Sequence, residues 1–257
     1  MIKFITSHDN KALKLVRSLS QKKQREKNKL YFAEGARISK DAVTYIKNDI
    51  EFLLITDVYL SENEEYINDI ESDGTCVYVI SDKLFREVCD TENPQGIMAV
   101  IKIPERDSLN YNADYILILD GVSEPGNMGT IIRTAEAAGI KQICLTEGCA
   151  DIYNPKTVRA SMSSVFRMSF CNIKDNDIDG LIKEGFTVAA TVLENSESIE
   201  RVKIEGKRAV VIGSEAHGVS EEISNKAQMR VRIDMFGEIE SLNAAVAAGI
   251  AMYILRP

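Results

Sequence analysis

Residues 115–139 read YILILDGVSEPGNMGTIIRTAEAAG, an apolar run followed by a turn and an amphipathic stretch. The apolar run is typical of a buried β-strand, and the stretch after Gly129 is typical of a helix that ends near Gly139. The same order, strand then helix, recurs from here to residue 257. This alternation predicts an α/β fold with a parallel sheet that is covered on both faces.

The turn within this stretch resembles a phosphate-binding loop but lacks the residues that such loops use. Gly121 and Gly126 have the spacing of a P-loop, yet Asn127 and Met128 follow where lysine and serine or threonine belong. No GxGxxG pattern is present, which argues against an oxidoreductase that binds a dinucleotide. The turn therefore predicts a different ligand, with Asn127 at the mouth of a helix.

Arg133 lies further along the same predicted helix and has two interpretations. Its planar guanidinium group suits a phosphate or another oxyanion. The alternative is a surface arginine that pairs with Glu136 or Glu124.

A second candidate loop follows the apolar run that ends at Gly213, in the stretch VVIGSEAHGVS (210–220). Glycines let a ligand approach the backbone closely, and Glu215 lies between two of them. Ser214 or Ser220 could simply cap a helix. Histidine is a common general base near neutral pH, so His217 is a candidate for that role. No serine–histidine–carboxylate set accompanies it, and we therefore interpret His217 as a loop residue without a catalytic role.

The third candidate loop lies in VRIDMFGEIESLNAAVAAGIAMYILRP (231–257). We expect Ser241 to be the N-cap of the last helix and Asn243 to lie in its first turn. That helix start would offer free N–H groups to a ligand, or it is an ordinary capped helix. Because ligands of parallel sheets collect where strands end and helices begin, we expect the three loops to converge.

The first part of the chain has a different charge from the rest. The chain has a net charge of −8, yet ten basic and only two acidic residues lie between Lys11 and Lys40. Such asymmetry is typical of a surface that binds a polyanion, although a solvated basic helix face would look the same. We predict that residues 1–103 form a smaller α/β domain, that residues 104–114 are a polar linker and that residues 115–257 form the larger domain.

Several classes of protein are disfavoured. The longest apolar run, residues 244–255, is too short to cross a bilayer, and no signal peptide is visible at the start. Five cysteines without a CxxC pair argue against a zinc site or a disulfide framework. We expect a cytoplasmic protein without a bound metal.

Three segments together resemble the SpoU branch of the SPOUT methyltransferases, which transfer methyl groups from S-adenosylmethionine to ribose 2′-hydroxyls of RNA. They are EPGNMGTIIRTAEAAG, VIGSEAHGVS and RIDMFGEIESLNAAVAAGIAMYI. The N-terminal segments ITSHDNKALKLVRSLSQKKQREKNKLYFAEGARI and NPQGIMAV are similar to the substrate domain of members that modify ribosomal RNA. That domain is similar to an RNA-binding ribosomal protein.

The resemblance implies a SPOUT-type sheet with a C-terminal trefoil knot, in a homodimer whose active sites lie near the interface. It implies that the catalytic residues are Asn127, Arg133, Glu215, Ser241 and Asn243. It implies that the cofactor is held by main chain at Val192, Gly213, Ile233 and Leu242. Together with the charge pattern, it implies that RNA is bound by Lys22, Lys23, Arg25 and Arg37.

The chain departs from the family pattern at four positions: Glu124, Asp234, Ala244 and Ala245. The N-terminal domain favours ribosomal RNA, since relatives specific for transfer RNA usually lack it. Transfer RNA as substrate and a non-catalytic RNA-binding or ribosome-assembly factor are the alternatives.

Overall fold

The computed structural model describes residues 1–257, which divide into two compact units. The N-terminal unit comprises Met1–Glu105 and Tyr153–Phe166, and the C-terminal unit comprises Arg106–Ile152 and Arg167–Pro257. Nothing in the sequence pattern indicated that the stretch from Tyr153 to Phe166 belongs with the first unit.

The N-terminal unit is built on a five-stranded mixed sheet. Its strands are β1 (Ile2–Phe4), β2 (Leu30–Glu34), β3 (Ile50–Thr56), β4 (Val77–Ile80) and β5 (Ile97–Lys102). Its helices up to residue 105 are α1 (Lys11–Ser18), α2 (Lys22–Asn28), α3 (Ala36–Tyr45), α4 (Asp57–Glu62), α5 (Glu64–Ser72) and α6 (Asp82–Arg86). The strand order is β1-β4-β3-β5-β2, and β5 runs antiparallel to both of its neighbours.

The basic segment between Lys11 and Lys40 begins with two short helices that are separated by a break. The chain leaves α1 after Ser18, and α2 begins at Lys22. Arg25 is 2% exposed, and its Nη1 donates to the carbonyl oxygens of Leu19 at 2.7 Å and Ser20 at 2.9 Å. The guanidinium group thus satisfies carbonyls of the segment between the helices.

This burial corrects the expectation that Arg25 binds RNA, because its charged group is committed to the interior of the unit. The other three basic residues of that set, Lys22, Lys23 and Arg37, are exposed.

The C-terminal unit is built on a seven-stranded sheet. Its strands are β6 (Tyr115–Asp120), β7 (Gln142–Leu145), β8 (Ser169–Asn172), β9 (Thr187–Thr191), β10 (Glu197–Ser198), β11 (Arg208–Gly213) and β12 (Met229–Arg232). The helices from residue 106 onwards are α7 (Pro125–Ala137), α8 (Pro155–Ala160, in the N-terminal unit), α9 (Asp175–Lys183), α10 (Glu221–Lys226) and α11 (Ala244–Ile254). The strand order is β10-β12-β9-β11-β6-β7-β8, and every neighbouring pair is parallel, which confirms the predicted parallel sheet.

Helices cover this sheet, as the strand–helix alternation predicts. Side chains of α9 and α10, among them Ile178 and Ile223, share one apolar core with Ile116 and Val211 of the central strands. Helix α11 packs against α7 and β11. No helix of the chain is long and apolar enough to cross a membrane.

The central pair of strands, β6 and β11, marks the point where the strand order changes direction. Asp120 at the end of β6 lies opposite Gly213 at the end of β11. Because both strands run the same way, the loops that follow them leave the sheet side by side. Ligands of parallel sheets bind at such a point.

Candidate active site

The first loop leads into α7, whose start is fixed by a side-chain cap. Pro125 occupies the first turn, and Oε2 of Glu124 accepts from the backbone N–H of Asn127 at 2.6 Å. Proline suits this position because its missing N–H would have no partner there. The cap places the half-buried Asn127 side chain at the end of the helix that lies next to β11.

The second loop folds back tightly after β11. Ser214 and Gly218 exchange two backbone hydrogen bonds of 3.0 Å, and Oγ of Ser214 accepts from the N–H of His217 at 3.1 Å. A Cβ at position 213 would lie 2.0 Å from the carbonyl carbon of Gly218, so only glycine fits there. Glu215 and His217 are exposed at the tip of this loop.

Three of the five predicted catalytic residues are joined by hydrogen bonds. Nδ2 of Asn127 donates to Oε1 of Glu215 at 2.6 Å. Nδ2 of Asn243 donates to Oδ1 of Asn127 at 3.0 Å. One side chain from each candidate loop therefore takes part in a single polar chain, and the carboxamide of Asn127 is held at both ends.

The N-cap of α11, which follows the third loop, differs from the predicted one. Asn243, not Ser241, is the N-cap, because its backbone is extended (φ −54°, ψ 140°). Its Oδ1 accepts from the N–H groups of Ala245 at 2.9 Å and Val246 at 3.3 Å. Two of the N–H groups expected to be free for a ligand are thus already bonded, while Ser241 is an exposed residue two positions before the cap.

The stretch before this cap offers main-chain groups instead. No backbone N–H from Ile233 to Asn243 donates a hydrogen bond within the chain. Ile233 and Leu242, both half-buried, lie in this stretch. Val192 lies close to its start, since the N–H of Val192 donates to the carbonyl of Val231 at 2.9 Å. Eleven successive residues with unpaired donors can bind a ligand that has several hydrogen-bond acceptors.

Arg133 is not part of the polar chain. It is exposed on α7, six residues beyond Asn127, which corresponds to about 9 Å along the helix axis and about a third of a turn around it. The carboxylates proposed as its alternative partners have other roles. Glu136 accepts from Nε of Arg167 and, at 2.8 Å, from its Nη2, and Glu124 caps the helix.

The sequence analysis missed Asp120, which links the first two loops. Its Oδ1 accepts from Oγ1 of Thr146 at 2.8 Å, and its Oδ2 accepts from the N–H of Ser220 at 2.7 Å. The available signal was a carboxylate directly after the apolar run YILIL. Both carboxylate oxygens are used within the unit, so Asp120 positions the loops.

Two family models match the chain. The model described as the SpoU rRNA Methylase family matches residues 114–253, and the model of the MRM3-like substrate binding domain matches residues 10–99. The first match covers more than half of the chain. The chain belongs to the SpoU rRNA methylase family. This membership confirms three predictions made from the sequence: the family, RNA methyltransferase activity and S-adenosylmethionine as methyl donor.

Relatives match the chain over its whole length. The 23S rRNA (guanosine(2553)-2′-O)-methyltransferase RlmP of Bacillus subtilis is 32% identical over 99% of this chain and 100% of the relative. An uncharacterized tRNA/rRNA methyltransferase of Synechocystis is 27% identical over 98% and 93% of the two chains. The AdoMet-bound rRNA methyltransferase from Sinorhizobium meliloti superposes with a TM-score of 0.88 at 28% identity, covering 98% of this chain and 97% of the other.

Proposed function

We propose that this member of the family transfers a methyl group from S-adenosylmethionine to a ribose 2′-hydroxyl of 23S-type ribosomal RNA. The observation that carries the proposal is the polar chain of Asn127, Glu215 and Asn243 at the central strand ends, in a chain that matches a 23S rRNA 2′-O-methyltransferase from end to end. Transfer RNA is the alternative substrate. The match to a substrate-binding domain over residues 10–99 favours ribosomal RNA.

The residues present fit the methyl donor. Its adenosine and amino-acid parts carry hydrogen-bond acceptors, and the unpaired N–H groups of residues 233–242 are suitable donors. Gly213 tolerates no side chain because the backbone of Gly218 and Val219 packs directly against it, which fixes the tight return of the second loop. We assign the binding of S-adenosylmethionine to main chain at Val192, Gly213, Ile233 and Leu242. The bound donor supplies a methyl group activated by the positive charge on sulfur.

The side chains then orient the acceptor. With both ends of its carboxamide fixed, Asn127 holds Glu215 in place beside the helix start. Correct placement of two reactants can lower a barrier by roughly 7–11 kcal/mol. Because a guanidinium group is a cation with several N–H donors, we assign Arg133 to a phosphate of the RNA and to the charge that develops on the 2′-oxygen. Ser241, which is exposed two residues before the N-cap of α11, is the fifth residue that we assign to the catalytic set.

A homodimer would complete this site, and two observations support it. Arg133 points away from Asn127 within one chain, by about a third of a helical turn. Val246, Tyr253 and Ile254 form an exposed apolar side of α11, which is costly in water. We propose that α11 packs against its copy in a second subunit and that the partner's Arg133 reaches the polar chain.

The N-terminal unit would hold the RNA through its exposed basic residues. Lys22 and Lys23 lie in the first turn of α2 and Arg37 lies in the first turn of α3, and neither of these turns contains an acidic residue. Cations at that end of a helix do not stabilise it, because the helix dipole is positive there. Their placement is favourable once a polyanion binds. An enzyme that modifies ribosomal RNA in this way would work in the cytoplasm.

The C-terminal unit would also contain the trefoil knot of SPOUT enzymes. The course of the chain supports this. β12 pairs with β9 and β10, and α11, which follows residues 233–243 in the chain, packs on β11 and α7.

Mapping of ribose methylation tests the proposed function directly. RNA from cells with and without this protein is compared nucleotide by nucleotide, and one 2′-O-methyl group in 23S-type ribosomal RNA should disappear with the protein. A methyl group lost from transfer RNA would establish the alternative substrate. Calorimetry with purified protein should show binding of S-adenosylmethionine, and a protein that binds RNA but no donor would be a non-catalytic factor.

A further inference from the structure

The stretch from Ile233 to Asn243 lacks backbone hydrogen bonds of its own, so something else must fix its course. None of its N–H groups is paired within the chain, and Phe236 within it is 93% exposed. An unpaired stretch of this length would sample many conformations, and ordering it costs about 1–2 kcal/mol per residue. A ligand bound by this main chain would meet that cost unless side chains anchor the stretch beforehand.

The side chain of Asp234 anchors the beginning of this unpaired stretch. Oδ1 of Asp234 accepts from Nε of Arg232 at 2.9 Å. The Ser198 hydroxyl first, then Arg232 and Arg201, hold the pKa of the Asp234 carboxyl below its ordinary value. The group is therefore ionised at neutral pH and hydrogen-bonded to Arg232 at the end of β12.

Those partners belong to the edge of the parallel sheet. Ser198 is a buried residue of β10, and Arg232 is the last residue of β12, which pairs with β10. Nη1 of Arg232 donates in addition to the carbonyl of Ser196. Asp234 thus ties the beginning of the unpaired stretch to the sheet, while Asn243 ties its end to α11.

We propose that Asp234 is a positioning residue for the methyl donor. Through its contact with Arg232, Asp234 preorders the main chain of residues 233–242. This inference rests on the proposed function, because that function assigns the donor to this main chain. Asp234 does not touch the reacting atoms. Its loss should weaken donor binding and leave the transfer step and RNA binding unchanged.

The test compares Asp234→Asn and Asp234→Ala with the wild type and with Asp179→Ala. Asp179 forms a 2.7 Å ion pair with Lys226 elsewhere in the same unit, so its variant controls for the loss of a surface pair. By calorimetry, both Asp234 variants should bind S-adenosylmethionine about tenfold more weakly, which corresponds to about 1.4 kcal/mol. Their kcat at saturating donor and their affinity for ribosomal RNA should stay within about twofold of the control.

A double-mutant cycle provides the second readout. Arg232→Leu should raise the Kd for the donor as Asp234→Ala does, and the double variant should bind no more weakly than either single variant, because both remove the same anchor. Asp234 variants with wild-type affinity for the donor, or additive effects in the cycle, would overturn the inference. A kcat that falls with unchanged Kd would do so as well. A wild-type protein that does not bind the donor would instead overturn the proposed function, and the inference with it.

Discussion

The two sheets of this protein serve different purposes, and the direction of their strands explains why. In the C-terminal unit all seven strands are parallel, so all their carboxyl ends lie on one edge. In the N-terminal unit β5 runs against β2 and β3, so loops from that sheet's central strands leave in opposite directions. The first arrangement gathers polar side chains from distant parts of the chain at one place, and the second does not.

The difference also appears in the kind of side chain that each unit presents. The C-terminal unit joins one carboxylate and two carboxamides by short hydrogen bonds. The N-terminal unit presents separate exposed cations such as Lys23 and Arg37. In the C-terminal unit the positions of the hydrogen-bonded side chains matter to within an ångström, whereas in the N-terminal unit only the charge of the side chains matters. Substitutions in the C-terminal unit should therefore affect methyl transfer, and substitutions in the N-terminal unit should affect RNA binding.

Arg133→Ala should have the largest effect. Removing a cation that stabilises developing negative charge lowers kcat by about 10²–10³-fold. Binding of S-adenosylmethionine should stay nearly intact, because the unpaired main chain of residues 233–242 is untouched. Single-turnover methylation and calorimetry on the same preparation check both parts. Wild-type turnover would show that Arg133 has no role in the transfer.

Mixed dimers sharpen this prediction. Arg133→Ala and Asn127→Ala homodimers should both turn over far more slowly than the wild type, but in a mixed dimer one site receives both wild-type residues if the partner's Arg133 completes it. Activity should then return to about half that of the wild-type dimer. Inactive mixed dimers would mean that Arg133 acts within its own subunit.

Asn127→Asp should give the next largest effect, and its pH dependence is specific to the polar chain. The new carboxylate would face Glu215 across a contact that is 2.6 Å long in the wild type. Two carboxylates so close raise the pKa of one of them, and the protonated form restores the lost donor. We expect kcat to be about 10–100-fold below wild type at pH 8 and to recover as the pH falls towards 6. A deficit that stays constant over this range would contradict the arrangement.

These sites show what the sequence can and cannot predict. The parallel sheet and the three loops followed from apolar runs, because a strand buried on both faces has few polar residues. The set of Asn127, Glu215 and Asn243 came from the family resemblance, and the hydrogen bonds between them are long-range contacts that spacing alone does not encode.

The errors have local physical causes. Serine and asparagine are both good N-caps, so the pattern SLN could not decide between Ser241 and Asn243. Arg25 is part of a run of exposed basic residues, and only the break between α1 and α2 creates the carbonyls that bury it. The placement of Tyr153–Phe166 in the N-terminal unit depends on tertiary contacts such as the hydrogen bond of 2.6 Å between Ser163 and Asp41.

The basic surface should respond to salt. The triple variant Lys22→Gln, Lys23→Gln, Arg37→Gln should lower the slope of log Kd against log salt for RNA by about 2, since each lost phosphate contact contributes about 0.7. Lys83→Gln, an exposed lysine of the same unit outside the basic segment, is the control and should leave the slope unchanged. An unchanged slope in the triple variant would place the RNA surface elsewhere.

Arg25→Met should instead lower the free energy of unfolding by about 1–3 kcal/mol, because buried carbonyls lose their donor.

The smallest effect is expected from two buried tyrosines, one in each unit. The hydroxyl of Tyr115 donates to the carbonyl of Met252 at 3.0 Å and so holds the last turn of α11 to the parallel sheet, whereas the buried hydroxyl of Tyr59 has no partner. Tyr115→Phe should lower the free energy of unfolding by about 1 kcal/mol, and Tyr59→Phe should leave it unchanged or raise it, because an unpaired buried hydroxyl is costly. Urea unfolding of both variants measures the two values, and equal losses would show that the contact with Met252 does not stabilise α11. If the loss is confined to Tyr115→Phe and methyl transfer is unaffected, the edge of the sheet opposite the candidate site serves stability alone, and the chemistry belongs to the edge where Asn127, Glu215 and Asn243 meet.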